Sequence, residues 1–267
     1  MEAILSIYQA LARLESRNET GVLCTVVHSQ GATPRHPGSK MLVYPDGSIL
    51  GSVGGGEMES RVIAEALQAL ADSQPRLLQY TLSEPERGDP GVCGGQMEVF
   101  VEPVQTKPAL VVVGCGHVGK AIARLARWLG FWVAASDDRA ELCRPESFPD
   151  ADAYYPLPLA ELPAKLQITS TTYVVLTTRG VPVDVQGLPA LLESPAAYIG
   201  VIGSQRRWAT TRKALLEQGT PAEKIDRVHS PMGLELNAET PEEIAVSILA
   251  EIIMLRNRAD GQPMKRK

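Results

Sequence analysis

In the first half of the chain, short runs of apolar and polar positions alternate and are separated by glycine-rich turns. Runs of this length predict β-strands, and Pro45-Asp46-Gly47 between two of them is typical of a hairpin turn. Apolar residues at three- and four-residue spacing predict one helix before these strands and one among them. The strands are predicted at residues 21–29, 40–45, 48–53, 76–82 and 96–103. The helical faces are predicted at Ile4, Ile7, Tyr8, Leu11 and Leu14, and at Met58, Val62, Ala66 and Leu70.

The second half has a different pattern, in which apolar runs are each followed by a helical segment. The run Ala109–Val113 has no polar alternation, as expected of a strand that is buried on both faces of a parallel sheet. Further strands are predicted at residues 131–136, 172–178 and 197–203. This strand–helix alternation predicts a doubly wound α/β domain.

The two patterns divide the chain into two predicted domains of the α/β class, residues 1–104 and 109–260, joined by the polar linker 105–108. The first is an N-terminal mixed α/β domain, and the second is a Rossmann-like doubly wound domain. Thr240, Pro241 and Glu243 form a capping box with a proline in the first turn, which predicts a helix start. The helix after them is apolar on most of its circumference, so we expect a buried C-terminal helix.

Composition and charge narrow the classes of function. The 267 residues include 26 Lys and Arg against 31 Asp and Glu, a net charge of -5, so binding to nucleic acid is not expected. No apolar run is long enough to span a membrane, and the N-terminus lacks the basic start of a signal peptide. The four cysteines are scattered without a C-x-x-C pair, which indicates reduced thiols in a cytoplasmic protein.

The sharpest motif is the sequence GCGHVG at 114–119, which directly follows a predicted strand and opens a helix. Glycines at this spacing allow a tight turn, close approach of the backbone to a pyrophosphate, and close packing of helix on strand. An acid after the next strand stands where a ribose-binding acid is expected. The motif predicts a nucleotide site, and a Rossmann scaffold that is empty or binds another phosphate is the alternative. The predicted residues are Gly114, Gly116, His117, Gly119 and Asp137, of which His117 either donates to a phosphate or caps the helix.

A second glycine-rich loop, Gly54-Gly55-Gly56 followed by Glu57, also precedes a predicted helix. Successive glycines can aim backbone N–H groups at an anion, and Arg35 and Lys40 upstream supply cationic donors. A tight turn without a ligand is the alternative. Because no Lys-Ser/Thr pair follows the last glycine, the loop is not a Walker A loop.

Two further segments could contact a ligand. In Cys93-Gly94-Gly95 a sterically accessible thiol could be a metal or sulfur ligand, and the alternative is a small buried side chain at a strand start. Ser204 and Arg206 follow another predicted strand, where a loop could receive an anion or could simply be solvated.

In this order along the chain, the motifs resemble the XdhC/CoxI family, the xanthine dehydrogenase accessory proteins. The resemblance implies a chaperone that binds molybdenum cofactor (molybdopterin) and protects it during sulfuration by a cysteine desulfurase. The chaperone then inserts the cofactor into the apo-subunit of a xanthine dehydrogenase-type molybdenum hydroxylase. An N-terminal α/β domain ahead of a Rossmann-like domain is also implied. The matching stretches are GATPRHPGSKMLV, GSVGGGEME, GVCGGQMEVFVEP, VVVGCGHVGKAIARLA, SDDR, YIGVIGSQRRW and SPMGLELNAETPEEIAVSILAEI.

The resemblance assigns the glycine-rich loops to cofactor binding, with Arg35 and Lys40 at the phosphate and Cys93 at the metal or the transferred sulfur. The sequence has Glu57 where many relatives are expected to have a cysteine or a histidine, and a carboxylate is not a soft ligand for molybdenum. It has Thr178-Arg179-Gly180 in a loop where a histidine is expected. We also expect a homo-oligomer. Two other functions stay open, an NAD(P)-dependent oxidoreductase that uses the Rossmann domain and a sulfurtransferase that carries a persulfide on Cys93.

Overall fold

The computed structural model describes residues 2–82, 94–104 and 106–265. The chain divides into two compact units, Met1–Thr106 and Lys107–Lys267. Of the predicted linker, Gln105 lies outside the described residues. Each unit has its own sheet and its own core of buried side chains.

The N-terminal unit is a five-stranded antiparallel sheet with two helices. Its elements are α1 Glu2–Arg17, β1 Gly21–Gln30, β2 Lys40–Val43, β3 Ile49–Gly51, α2 Gly56–Asp72, β4 Arg76–Thr81 and β5 Gln96–Val104. The strand order is β3-β2-β1-β5-β4, so the long strand β1 lies at the centre and pairs with β2 and β5. The predicted turn at Pro45-Asp46-Gly47 joins β2 to β3.

Both helices of this unit bury narrower faces than the apolar spacing predicts. On α1, Ile7 and Leu14 of the predicted apolar face are buried, whereas Tyr8 of the same face is 54% exposed. On α2, the buried residues end with Ala69 rather than Leu70, which is only partly buried. A four-residue spacing drifts around a helix with 3.6 residues per turn, so Leu70, the last position of the series, packs at the margin of the core while Ala69 is fully buried.

The C-terminal unit is a six-stranded parallel sheet with helices on both faces. Its strands are β6 Ala109–Val113, β7 Trp132–Ser136, β8 Ala153–Tyr155, β9 Thr172–Leu176, β10 Tyr198–Val201 and β11 Val228–His229. Its helices are α3 His117–Trp128, α4 Val181–Leu192, α5 Gln205–Glu217, α6 Ala222–Ile225 and α7 Pro241–Arg256, with a 3₁₀ helix at Leu159–Ala164. The three-residue β8 and two-residue β11 are too short to give a pattern and are absent from the sequence prediction.

The strand order of this sheet is β11-β10-β9-β6-β7-β8, so the direction of winding reverses between β6 and β9. Every residue of β6, β7 and β9 is buried, because α3 and α7 cover one face and α4 and the 3₁₀ helix cover the other. In doubly wound sheets a ligand crevice opens at the carboxyl ends of the strands where the winding reverses. The predicted Rossmann-like fold is confirmed by this topology.

The C-terminal helix α7 begins at the predicted capping box. Thr240 Oγ1 accepts the Glu243 N–H at 3.2 Å, and the Glu243 carboxylate accepts the Thr240 N–H at 3.1 Å. One face of α7 is buried against α3, while Val246 and Leu255 are partly exposed. Within the described ranges, no helix is long and apolar enough to cross a membrane.

Candidate cofactor-binding sites

The glycines of the GCGHVG turn have three different roles in the structure. Gly114 has φ +111°, and a β-carbon there would lie 2.5 Å from the Thr177 carbonyl oxygen. A β-carbon on Gly119 would collide with the Gly114 carbonyl oxygen, so this glycine permits close packing of α3 on β6. A β-carbon on Gly116 would meet no described atom within 4 Å. The middle glycine therefore leaves an open path to the N-terminus of α3, as pyrophosphate binding requires.

Asp137, the predicted ribose-binding acid, is already saturated by hydrogen bonds. Its Oδ2 accepts the Cys115 N–H at 2.8 Å and Arg139 Nη2 at 2.9 Å. Its Oδ1 accepts the Arg139 N–H at 3.0 Å and Arg139 Nε at 2.9 Å. The side chain is 2% exposed, so the carboxylate lies beneath the Arg139 side chain rather than open to a ligand.

A cavity of about 410 Å³ lies at the carboxyl ends of β6, β7 and β9 and is lined by Gly114, Asp137, Asp138, Arg139 and Arg179. Arg179 Nη1 and Nη2 each donate to one oxygen of Asp138 at 2.7 Å. These hydrogen bonds lower the pKa of Asp138 to about 2 and raise the pKa of Arg179. We call this lined cavity the crevice. No role was predicted for Asp138 or Arg179 from the sequence, although each of them follows the end of a predicted strand.

The structure does not bring His117 into the crevice. It is the first residue of α3, after the N-cap Gly116, and lines a different cavity of about 620 Å³ beside Lys120, Arg124 and Trp128. The N-cap position is held by Gly116, and His117 follows it as the first helical residue.

A buried polar cluster supports the loop after β9. Asp184, which is fully buried, accepts hydrogen bonds from Thr178 Oγ1 and, at 2.7 Å, from Arg207 Nη2. Arg207 also donates to Thr178 Oγ1 at 2.7 Å. Of the predicted pair in this region, Ser204 caps α5 by accepting the Arg207 N–H, and Arg206 is exposed. The guanidinium that pairs with the buried Asp184 is therefore that of Arg207, which is partly buried, and not that of the predicted Arg206.

Two thiols lie in contact behind the glycine turn. Cys115 is buried with Sγ 3.8 Å from the Ser136 carbonyl oxygen, and Cys143 is buried with Sγ 3.4 Å from that of Ala135. The interaction with Cys143, together with burial, raises the pKa of Cys115, and the interaction with Cys115 lowers the pKa of Cys143. Cys24 is buried in the core of the N-terminal unit, as predicted, and burial raises its pKa to about 12.

A partly buried carboxylate, that of Glu251, holds the loop after β11. It accepts Tyr198 Oη at 2.6 Å and the Gly233 N–H at 2.7 Å, and its Oε1 lies 3.1 Å from His229 Nδ1. Burial by itself raises the pKa of Glu251, but these hydrogen bonds outweigh burial and lower it. The cluster links the loop to α7 and accounts for His229 as a structural residue.

In the N-terminal unit, three loops that the sequence singled out converge. A β-carbon on Gly95 would collide with the Ala32 carbonyl oxygen and lie 2.7 Å from that of Gln30. A β-carbon on Gly54 would lie 3.4 Å from Pro34 Cγ. The Ala32–Arg35 turn therefore contacts both the Gly54–Glu57 loop and the Gly94-Gly95 pair. We call these three segments the loop cluster.

The loop cluster has an open side. β-Carbons on Gly55 and Gly56 would meet no described atom within 4 Å, and these glycines form the start of α2. Arg35 is exposed, and its side chain has no partner among the described residues. Glu57 is exposed and accepts Arg61 Nη2 at 2.5 Å, which offsets its charge near the helix start. Lys40 is partly buried and donates to Thr25 Oγ1 at 3.0 Å.

Cys93, the predicted metal ligand, lies outside the described residues. The described chain stops at Leu82 and resumes at Gly94, and these two residues are joined by a hydrogen bond of 2.7 Å from the Gly94 N–H to the Leu82 carbonyl. In residues 2–82, 94–104 and 106–265, no three His, Cys, Asp or Glu side chains are grouped so that they could hold a metal ion.

Each of the two units matches a known protein family. The XdhC Rossmann domain matches residues 110–252, more than half of the chain, and the XdhC and CoxI family matches residues 14–81. The chain belongs to the XdhC/CoxI family. The resemblance inferred from the ordered motifs is confirmed.

Curated relatives differ in how much of them the chain covers. The uncharacterized protein YqeB of Escherichia coli is 38% identical over 96% of this chain and 47% of its own length. A protein of Bacillus subtilis named as a probable xanthine dehydrogenase subunit is 32% identical over 60% of this chain and 46% of its own length. The chain thus spans about half the length of these two relatives. The molybdenum cofactor insertion chaperone PaoD of Escherichia coli is 25% identical over 88% of this chain and 83% of its own length.

A solved structure has the same fold. A protein from Bacillus halodurans described as a xanthine dehydrogenase superposes with a TM-score of 0.51, at 24% identity, over 96% of this chain and 97% of that one.

Proposed function

We propose that the chain binds molybdenum cofactor as cargo and inserts it into the apo-subunit of a xanthine dehydrogenase-type molybdenum hydroxylase. The family supports this role, as does the name of PaoD, a molybdenum cofactor insertion chaperone. The observation that carries the proposal is the convergence of the loop cluster, which gathers a glycine-rich helix start and an arginine whose side chain has no partner among the described residues.

The loop cluster fits the phosphate of molybdopterin. Exposed N–H groups at a helix start attract an anion, and the open faces of Gly55 and Gly56 let a phosphate approach. Arg35 can supply a charge-assisted hydrogen bond, and Lys40 adds a second positive charge on β2. Glu57, whose charge is offset by Arg61, is proposed to face the cargo without binding its metal.

Cys93 is proposed to contact the metal or the transferred sulfur, since it immediately precedes Gly94 and Gly95 of the loop cluster in the sequence. A cysteine desulfurase is the proposed sulfur donor. Cys93→Ser is expected to keep the pterin and lose the cyanide-labile sulfur of the bound cofactor. The free thiols of Cys24, Cys115 and Cys143 agree with a proposed cytoplasmic location.

The test is to produce the full chain in cells that make molybdopterin and to measure the pterin by fluorescence and the molybdenum by elemental analysis. We expect both to copurify. Arg35→Ala is expected to lower the pterin content about tenfold, because one charge-assisted hydrogen bond to phosphate is lost.

Arg13→Ala, which removes another exposed arginine of the same unit on α1, is the matched control and should retain the pterin. The proposal is wrong if the purified chain carries neither pterin nor molybdenum and also takes up none from released cofactor under anaerobic conditions. Equal pterin loss in the Arg35 and Arg13 variants would contradict the assignment of the loop cluster.

A further inference from the structure

In the crevice of the C-terminal unit, Asp137 lies where a ribose-binding acid is expected. Its acceptor positions are already occupied, so it has none left for the hydroxyls of a ribose. A carboxylate offers about four acceptor positions, and Asp137 accepts four hydrogen bonds from Cys115 and Arg139. The hydroxyls of an unmodified ribose would have to displace Arg139 from a buried carboxylate. The crevice is therefore poorly suited to a nucleotide that is recognised through its ribose diol.

Two guanidinium groups face the same cavity instead. Arg139 uses Nε and Nη2 on Asp137, and because a guanidinium has five donors in a planar fork, its Nη1 is left for another acceptor. Arg179 is about half exposed and donates from both terminal nitrogens to Asp138. Both arginines line the cavity, and Leu157, Leu159 and Pro182 supply apolar surface suited to a base.

The Asp138–Arg179 ion pair crosses the crevice. Asp138 follows β7, Arg179 follows β9, and β6 lies between these two strands. Both partners are more than a third exposed, so water already competes with their contact. A phosphate offers Arg179 the same two-oxygen edge as a carboxylate and carries more charge, whereas a ribose hydroxyl makes only a neutral acceptor.

We propose that the crevice binds a nucleotide whose ribose carries a phosphate monoester, and that Arg179 exchanges Asp138 for this phosphate. Arg139, held in place by Asp137, supplies the second positive charge. Gly116 lies two residues beyond Gly114 of the crevice lining, and its open face at the N-cap of α3 is proposed to leave room for the pyrophosphate of the same ligand. This site is separate in its residues from the loop cluster proposed for molybdenum cofactor.

The test is calorimetric titration of the full chain with NADP⁺ and NAD⁺, which differ only in the phosphate on the ribose. We expect NADP⁺ to bind at least about tenfold more tightly, as for a charge-assisted hydrogen-bond pair. Arg179→Ala should weaken NADP⁺ binding about tenfold and leave NAD⁺ binding unchanged. Asp138→Asn should strengthen NADP⁺ binding, by about threefold or more, because it frees Arg179 and removes a negative charge.

Arg144→Ala is the matched control, since Arg144 is an exposed arginine that donates to Ser147 and should not affect either nucleotide. Equal affinities for NADP⁺ and NAD⁺, no binding of NADP⁺, or weaker NADP⁺ binding by Asp138→Asn would each overturn the proposal. The pterin content of the same preparations separates the two proposals. A chain that carries pterin but does not bind NADP⁺ disproves only the crevice assignment, and the reverse result disproves only cargo binding.

Discussion

The loop cluster and the crevice are both built on glycines at a helix start, but their charges are arranged in opposite ways. In the loop cluster, Arg35 is exposed and has no partner among the described residues. In the crevice, each arginine is paired with an aspartate, Arg139 with Asp137 and Arg179 with Asp138. An anion can bind the first site without breaking an ion pair, whereas the second requires an exchange of partners. Two similar glycine motifs can therefore differ in whether an ion pair must break before an anion binds.

The largest expected effect on stability concerns the ion pair of Asp184 and Arg207, which supports the loop after β9. Asp184→Ala removes the fully buried carboxylate that pairs with the partly buried Arg207, so we expect a loss of about 3–5 kcal/mol in the free energy of unfolding. Asp226→Ala, which breaks the exposed pair with Arg212, should cost only about 0–1 kcal/mol. Urea unfolding of the full chain measures both. Similar losses in the two variants would contradict the expectation that the Asp184–Arg207 pair contributes more to stability than the exposed Asp226–Arg212 pair.

The next prediction compares Gly114, which shapes the crevice, with Gly116, which leaves space for a ligand. Gly114→Ala forces an alanine into φ +111° against Thr177, so we expect a loss of about 1–3 kcal/mol in stability. Gly116 has φ -78° and open space around it, so Gly116→Ala should change stability by no more than about 0.5 kcal/mol. Thermal unfolding with NADP⁺ titration tests this pair. Gly116→Ala should weaken nucleotide binding without loss of stability, and the opposite order of stabilities would contradict the assigned roles.

The smallest effect is a pH dependence of the pair that crosses the crevice. Hydrogen bonds from Arg179 hold the pKa of Asp138 at about 2, below the ordinary value near 3.9 that applies in the unfolded chain. The pair therefore stabilises the fold at pH above about 4, and this contribution is lost as the pH falls towards 2. Because the pair is exposed, Asp138→Asn should cost no more than about 1 kcal/mol at neutral pH.

The measurement is the urea midpoint of both proteins across an acid series, in which the difference should shrink below about pH 4. Glu217→Gln, at an exposed pair with Lys213, is the control. A difference that is independent of pH would contradict the ion pair.

The fold could be predicted from the sequence wherever a residue pattern has one physical cause. Uniform burial explains the apolar strand Ala109–Val113, and the capping box at Thr240 marks the start of α7. Tyr8 could not be placed correctly, since periodicity gives the direction of a helical face but not its width. The strands β8 and β11 are held by their neighbours in the sheet and carry too few residues for a pattern.

The candidate sites were less predictable than the fold, because motifs locate a backbone but not the pairing of side chains. The glycine turn indicated where the crevice lies, yet nothing in the motif shows that Arg139 saturates Asp137. The spacing of residues also does not show that Arg207, rather than Arg206, donates a hydrogen bond to Asp184. The convergence of Ala32–Arg35 with Gly95 depends on strand pairing between β1 and β5, which links residues far apart in the chain.

The proposed role of the chain is to carry molybdenum cofactor and pass it on. It is tested most directly by mixing the cofactor-loaded protein with the apo-form of a xanthine dehydrogenase-type hydroxylase and following the molybdenum on each protein. We expect molybdenum to move to the hydroxylase, and hydroxylase activity to appear faster than with the same amount of free cofactor. Molybdenum that stays on this chain, or activation no faster than with free cofactor, would contradict it.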